Sequence, residues 1–219
     1  MVAIVQAHVF RPRDLVGGHV VIDLVNTVTA RDATPIDWID GYPRLLEWAA
    51  LTGRFDPADL VALHDLAVAE PAAAARALAR TRALREALHD VITALAGKDV
   101  PAPPQAVAQV ERHWRRAVGG ARLAVHGGAV RPRLSVETSG LEYLNHELTL
   151  RAVDLLGTLP PDRTRLCPGP RCGWFFIDRS RGNRRRWCDM ATCGNAVKGR
   201  AHYQRKRQAA RAPEDRQAT

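Results

Sequence analysis

Four cysteines, Cys167, Cys172, Cys188 and Cys193, are the only thiols in a chain of 219 residues. They fall as two close pairs around a loop, C-x4-C-x15-C-x4-C. Each pair turns the backbone so that two sulfurs converge, and the loop brings the pairs together, which is how a chain builds a tetrahedral thiolate cage. Four protein thiolates close the coordination shell, whereas a catalytic zinc keeps a position open. A [4Fe–4S] cluster takes four thiolates too, but from runs with shorter spacings among three of them. A redox dithiol would need C-x-x-C, which is absent. The chemistry predicted is therefore one structural Zn²⁺ per chain, held by all four cysteines. At about 45 residues, such a segment is too small to fold without metal or cross-links, so binding and folding should be coupled.

The same stretch concentrates positive charge. Residues 163–211 carry 14 Lys/Arg against two acids, Asp178 and Asp189. Residues 1–162 carry 17 Lys/Arg against 19 Asp/Glu, so nearly all of the net +9 belongs to one module. Zinc and its four thiolates would leave that module at about +10. A field so one-sided repels itself and calls for a polyanion to neutralise it. The predicted nucleic-acid contacts are Arg179, Arg181, Arg184, Arg185 and Arg186 before the second cysteine pair. After it come Asn195, Lys198, Arg200, His202, Arg205 and Lys206. Lys198, His202, Arg205 and Lys206 follow i, i+4, i+7, i+8 and share one helix face.

The elements that must position these groups can be read from pattern. Pro168, Gly169 and Pro170 suit a tight knuckle. Trp174–Ile177 reads as a strand, Arg185–Trp187 as its returning partner, and SRGN as the turn between them, with Gly182 and Asn183 suited to it. Trp174, Phe175, Phe176 and Trp187 are expected to form the segment's own minimal core. A helix from Met190 to about Gln208 would supply Cys193 from its first turn. Knuckle, hairpin and helix together describe a treble-clef-like zinc finger ending in a basic helix.

Before the finger the pattern is mainly helical. Residues 18–29, GHVVIDLVNTVT, fit either a helix or a strand, and DATPID reads as a turn. Helices are predicted at 42–52, stopped by Gly53, and after Asp56-Pro57 through Leu60, Leu63 and Ala67. The clearest one spans 72–96, with Leu78, Leu84, Leu88, Val91, Ile92 and Leu95 on one stripe and arginines opposite. A helix at 104–117 carries Val107, Val110 and Trp114, and a β-hairpin follows, with Leu123 and Val125 returning through His-Gly-Gly to Val130 and Leu134. A last helix at 139–159 ends at Pro160-Pro161, the expected domain boundary. The predicted fold class is α+β, mainly α: a helical domain with a small β-hairpin over 1–160, the zinc finger over 161–210, and a flexible tail over 211–219.

Catalytic patterns are scarce in the helical part. His146-Glu147 begins like HExxH, but Leu150 stands where the second ligand would be. No GxGxxG, Walker loop or GxSxG is present. His19, Asp23 and Asn26 recur at helical spacing and could line a small pocket for a small-molecule ligand, although capping and core hydrogen bonds would explain Asp23 and Asn26 as well. No catalytic residue is predicted. No apolar run is long enough for a membrane span, and the N-terminus lacks the features of a secretion signal, so a cytoplasmic protein with reduced thiols is expected.

The residues around the cysteines, WFFID, RRWC and MATCGN with the basic helix behind it, closely resemble the CGNR zinc finger. IDLVNTVTARD, with IDWID and LLEW after it, resembles the ABATE domain that precedes that finger in bacterial proteins. This resemblance implies a stress-induced transcription regulator whose four cysteines hold zinc, with the first domain sensing a ligand or mediating dimerisation. One position departs from the family tetrapeptide, because Ala196 stands where it has arginine. Alanine cannot reach a base or a phosphate from there, and Arg200, one turn on, is a partial substitute. Double-stranded DNA is the expected partner, with a homodimer expected for half-site reading. An RNA-binding or ribosome-associated protein, with Tyr203 stacking on a base, is the second reading, and an enzyme with its pocket at His19, Asp23 and Asn26 is the third.

Overall fold

The computed structural model describes residues 3–97 and 100–211. The tail expected at 211–219 lies, Arg211 apart, outside these residues. Eight α-helices and seven strands occur among them. In chain order they are β1 (Ile4–Val5), α1 (Val20–Val25), β2 (Val28–Thr29), β3 (Ile36–Asp37), α2 (Tyr42–Thr52), α3 (Pro57–Ala69), α4 (Pro71–Ala96) and α5 (Pro104–Gly120). Then follow β4 (Arg122–His126), β5 (Ala129–Arg133), α6 (Val136–Ser139), α7 (Tyr143–Thr158), β6 (Thr164–Leu166), β7 (Phe175–Ile177) and α8 (Asn195–Arg211). No described helix is long and apolar enough to cross a membrane.

Local chemistry sets the helix ends. Gly53 ends α2 in the left-handed region at φ 61°, a conformation only glycine adopts without strain. Asp56 caps α3, accepting from the Ala58 N–H at 2.9 Å, with Pro57 at the first helical position. Leu78, Leu84, Leu88, Val91 and Ile92 of α4 are buried against Leu45, Trp48, Leu63, Leu144 and Leu148. Leu95, placed on the same stripe by periodicity, is exposed instead.

Three sheets are present among the described residues, where two hairpins were expected. β1, β3 and β2 form a small mixed sheet, so Ile36-Asp37 is a strand and not the predicted turn. The ambiguous segment at 18–29 is both things in succession, helix α1 and then strand β2. β4 and β5 form the predicted hairpin. The third sheet corrects the finger: β7 pairs antiparallel with β6, Thr164↔Ile177 to Leu166↔Phe175, and not with Arg185–Trp187. The SRGN turn does form, with Asn183 at φ 48°. Its return cannot be a strand, because the Asp178 carboxylate captures the N–H groups of Ser180 and Arg185, each at 2.8 Å.

The finger is not a separate bead. Phe175 and Ile177 of β7 belong to the large helical core, whereas Phe176 and Trp174 face the cysteines with Trp38 and Val16 beside them. Alternation along a strand explains this split, since successive side chains leave opposite faces. The expected self-contained aromatic core is thus shared between two clusters.

Candidate metal centre and basic surface

The four sulfurs converge. All lie within 4.8 Å of one another, with Cys172–Cys188 at 3.5 Å and Cys188–Cys193 at 3.6 Å. A zinc ion with bonds of about 2.3 Å needs tetrahedral sulfurs about 3.8 Å apart, so the donor set fits. Cys167, Cys172 and Cys188 are buried. Cys193 comes from a single π-turn at Met190–Gly194, capped by the Asp189 carboxylate, which accepts from the Thr192 N–H at 2.9 Å. The knuckle requires glycine at 169, where a Cβ would lie 2.7 Å from the Cys193 sulfur.

Electrostatics demands a cation there. Sulfur–sulfur hydrogen bonds from Cys172 and Cys188 hold the Cys167 thiol far below its ordinary value. The same contacts push Cys172 and Cys188 up, and burial pushes Cys193 up. Four thiolates packed this closely repel one another, so holding all four ionised takes a divalent ion in their midst. The N–H groups of Gly169 and Cys188 also point at the Cys167 sulfur, at 3.4 and 3.3 Å. The four cysteines form the site of one structural zinc, whose chemistry is to bind and neutralise the thiolates and so fix the fold.

His19, Asp23 and Asn26 point to different tasks: Asn26 directly, and Asp23 through Gly17, hold the finger against the helical domain, whereas His19 caps α1. Asn26 is buried and spans the Phe175 backbone: its Nδ2 donates to the carbonyl and its Oδ1 accepts from the N–H, both at 2.8 Å. Asp23 accepts from the Gly17 N–H at 2.8 Å, while the Gly17 carbonyl accepts from the Ile177 N–H at 3.0 Å. His19 accepts from the Val21 N–H and caps α1. Of the three, His19 alone borders the cleft of about 630 Å³ that Arg131, Asp154 and Arg163 also line.

Asp23 is ionised at a cost. Burial pushes its carboxyl up from 3.8 to about 6, against the pull of the Gly17 N–H and of Arg54. The folded chain thus holds this proton more tightly than the unfolded one. Its contribution to stability is largest below pH 4 and is lost as pH rises through the window to 6. Above that the ionised group costs on the order of 2–3 kcal/mol. Asp23→Asn keeps a carbonyl oxygen for Gly17. It should leave Tm near wild type at about pH 3.5 and raise it at pH 8, and a Tm difference that does not change with pH would contradict this account.

The predicted cationic set divides in two. Arg185 is half-buried, and its guanidinium donates to the carbonyls of Trp187, Val16 and Cys188 while lying 4.6 Å from the centre of the Phe176 ring. It is a strut of the metal loop rather than a free cation. Arg179 is exposed but donates to the Gly18 carbonyl at 2.7 Å. Arg181, Arg184, Arg186, Asn195, Lys198, Arg200, His202, Arg205 and Lys206 are exposed. Lys198 shares a cleft of about 630 Å³ with Arg184, Arg186 and Trp187, which joins the loop to α8. The two acids nearby are already engaged, Asp178 by backbone N–H groups and Asp189 by its helix cap. Ala196 is exposed, so the side chain missing there would have pointed to solvent from α8. Sequence reasoning missed Arg165, which donates to Asn183 and steadies the loop.

Residues 18–159 match the model of the ABATE family, described as a putative stress-induced transcription regulator. Residues 163–206 match the model of the CGNR zinc finger. No curated protein matches the chain.

Proposed function

This chain belongs to the ABATE family and carries a CGNR zinc finger, and we propose that it is a transcription regulator that binds double-stranded DNA through that finger. One observation carries the reading: the exposed Arg184 and Arg186 of the loop and Lys198 of α8 line one cleft beside the metal site, whose acid, Asp189, is engaged by its helix cap. Arg184 and Arg186 grip phosphates, and α8 presents Lys198, His202 and Arg205 to a groove. The helical domain supplies the regulatory input, and the Asn26 clamp on Phe175 is the route by which that input reaches the finger.

The test is selection of bound DNA from a random pool by the intact zinc-loaded protein. An enriched motif supports the reading, and its absence reduces the finger to non-specific polyanion attachment. Neutralising Lys198, Arg205 and Lys206 together should weaken duplex binding by at least tenfold at ~100 mM salt. The slope of log affinity against log salt should fall by about 2–3, close to one unit for each phosphate that is no longer neutralised. Tyr203 is exposed on α8 and offers a face for base stacking. Competition between duplex DNA and structured RNA at fixed salt therefore decides between the two nucleic acids, and preference for the RNA would overturn the duplex reading.

A further inference from the structure

The near-neutral sum over residues 1–162 hides a second basic segment. Residues 112–136 hold six arginines and no acid, which leaves the rest of that region with 11 Lys/Arg against 19 Asp/Glu. All six are exposed. On α5, Arg115 pairs with Glu111 and Arg112 donates to Gln109. The β4–β5 hairpin holds no acid to pair with its own three. Its register sets Arg122 directly opposite Arg133, with Arg131 two residues along on the same face. Like charges so placed repel across a ribbon, and an anion relieves them.

This charge reaches the finger. Arg131 lines a cleft of about 630 Å³ with Arg163, which leads into β6, and Arg179, which follows β7. Arg163 and Arg179 donate to the carbonyls of Asp178, Ser180 and Gly18 but keep their charge. Of the two acids lining the cleft, Asp178 is engaged by backbone N–H groups, which leaves Asp154 against three arginines. Burial, and then the charges of Arg151, Arg179 and Arg54, hold the His19 imidazole there below its ordinary value. Val16 borders the cleft of Arg184, Arg186 and Lys198, and His19, three residues on, borders this one. Three residues span at most about 10 Å, so the cations form one strip from α8 across the loop to the hairpin.

We infer that the hairpin is a second anchor for duplex DNA, with Arg122, Arg131 and Arg133 holding the phosphate backbone beyond the stretch that the finger grips. The inference rests on duplex binding by the finger and extends the contact onto the helical domain. A duplex carries one negative charge per ~1.7 Å of its axis, so a strip of spaced cations meets phosphate along its whole length. The guanidinium fork matches phosphate oxygens in pairs. Backbone contacts carry no sequence information, so the anchor adds affinity and leaves specificity to the finger.

In the intact zinc-loaded protein, Arg122→Gln/Arg131→Gln/Arg133→Gln should weaken duplex binding at least tenfold at ~100 mM salt. It should lower the slope of log affinity against log salt by about 2–3. The motif selected from a random pool, the zinc content and the helical circular dichroism should match wild type. Lysine at the same three positions keeps the charge and should keep the slope, which separates loss of charge from loss of shape. Arg76→Gln, at an exposed arginine of α4, should move neither quantity. Affinity and slope unmoved by the glutamine variant would overturn the inference and leave the finger's role standing. A wild type without duplex affinity would overturn the finger's role and the inference with it. Saturable binding of inorganic phosphate below ~1 mM, with duplex affinity unchanged by it, would make the cleft a small-anion site and overturn the inference as well.

Discussion

Stripping zinc from the intact protein should lower the midpoint of one cooperative unfolding transition by about 10–15 °C, rather than melt the finger and leave the helices untouched. The reason lies in where β7 goes. Cys172 and Cys188 bracket it, and the Cys172 carbonyl accepts from the Ala30 N–H at 3.1 Å. Phe175 and Ile177 fill the helical core, and Asn26 and Gly17 bond their backbone. Once the sulfurs lose their ion, their mutual repulsion and burial favour opening the loop. Withdrawing Phe175 from the core costs about 3–5 kcal/mol. In a chain of this size each kcal/mol moves Tm by about 2–4 °C. Cys172→Ser should reproduce the effect and lose stoichiometric zinc by elemental analysis. A helical transition indifferent to chelation would show that the two cores are uncoupled.

Arg85→Met should cost about 3–5 kcal/mol, the largest effect expected from a single change far from the metal. Arg85 is 3% exposed and forks onto both oxygens of the buried Asp37, at 2.8 and 2.7 Å, with Thr27 as a third acceptor at 3.0 Å. This pair fastens β3 to α4. Next to it Trp38 stacks on His8 and meets Trp174 of the finger edge-on, so the pair also steadies the metal site's wall. Removing the guanidinium leaves a carboxylate with 4% side-chain exposure to the more exposed Arg82, at 3.1 Å, and to the Ile39 N–H, at 3.0 Å. Replacing both partners, Arg85→Met with Asp37→Leu, should recover much of the stability, because no buried charge is then left unpaired; Arg82, which loses Asp37, is 30% exposed and keeps the Ile39 carbonyl. Chemical denaturation of the two variants measures this directly, and equal destabilisation by both would refute it.

Both results concern contacts that a one-dimensional pattern hides. The arginines of α4 read as a solvated face opposite a leucine stripe, and for Arg76 that is true. Arg85 has the same letter and spacing but meets Asp37, 48 residues away, so only the assembled fold distinguishes strut from solvated charge. The same holds for Arg185 in the finger, whose neighbours Arg184 and Arg186 are exposed while it is consumed by carbonyls. The hairpin of Leu123 and Val125 was legible from alternation, since a period of two needs no knowledge of what lies beyond the strand. That most of both faces would stand in solvent was not.

The sequence alone determined the thiolate cage, the main helices and their caps, the charged module and the family. Each depends on spacings of a few residues or on a sum over residues, and neither changes with the path of the chain. Tertiary structure decided which strand β7 joins, that its alternate side chains serve two cores, and that Asn26 clasps Phe175 across 149 residues. Those outcomes depend on which distant groups exclude water from each other, a choice made only when the whole chain closes.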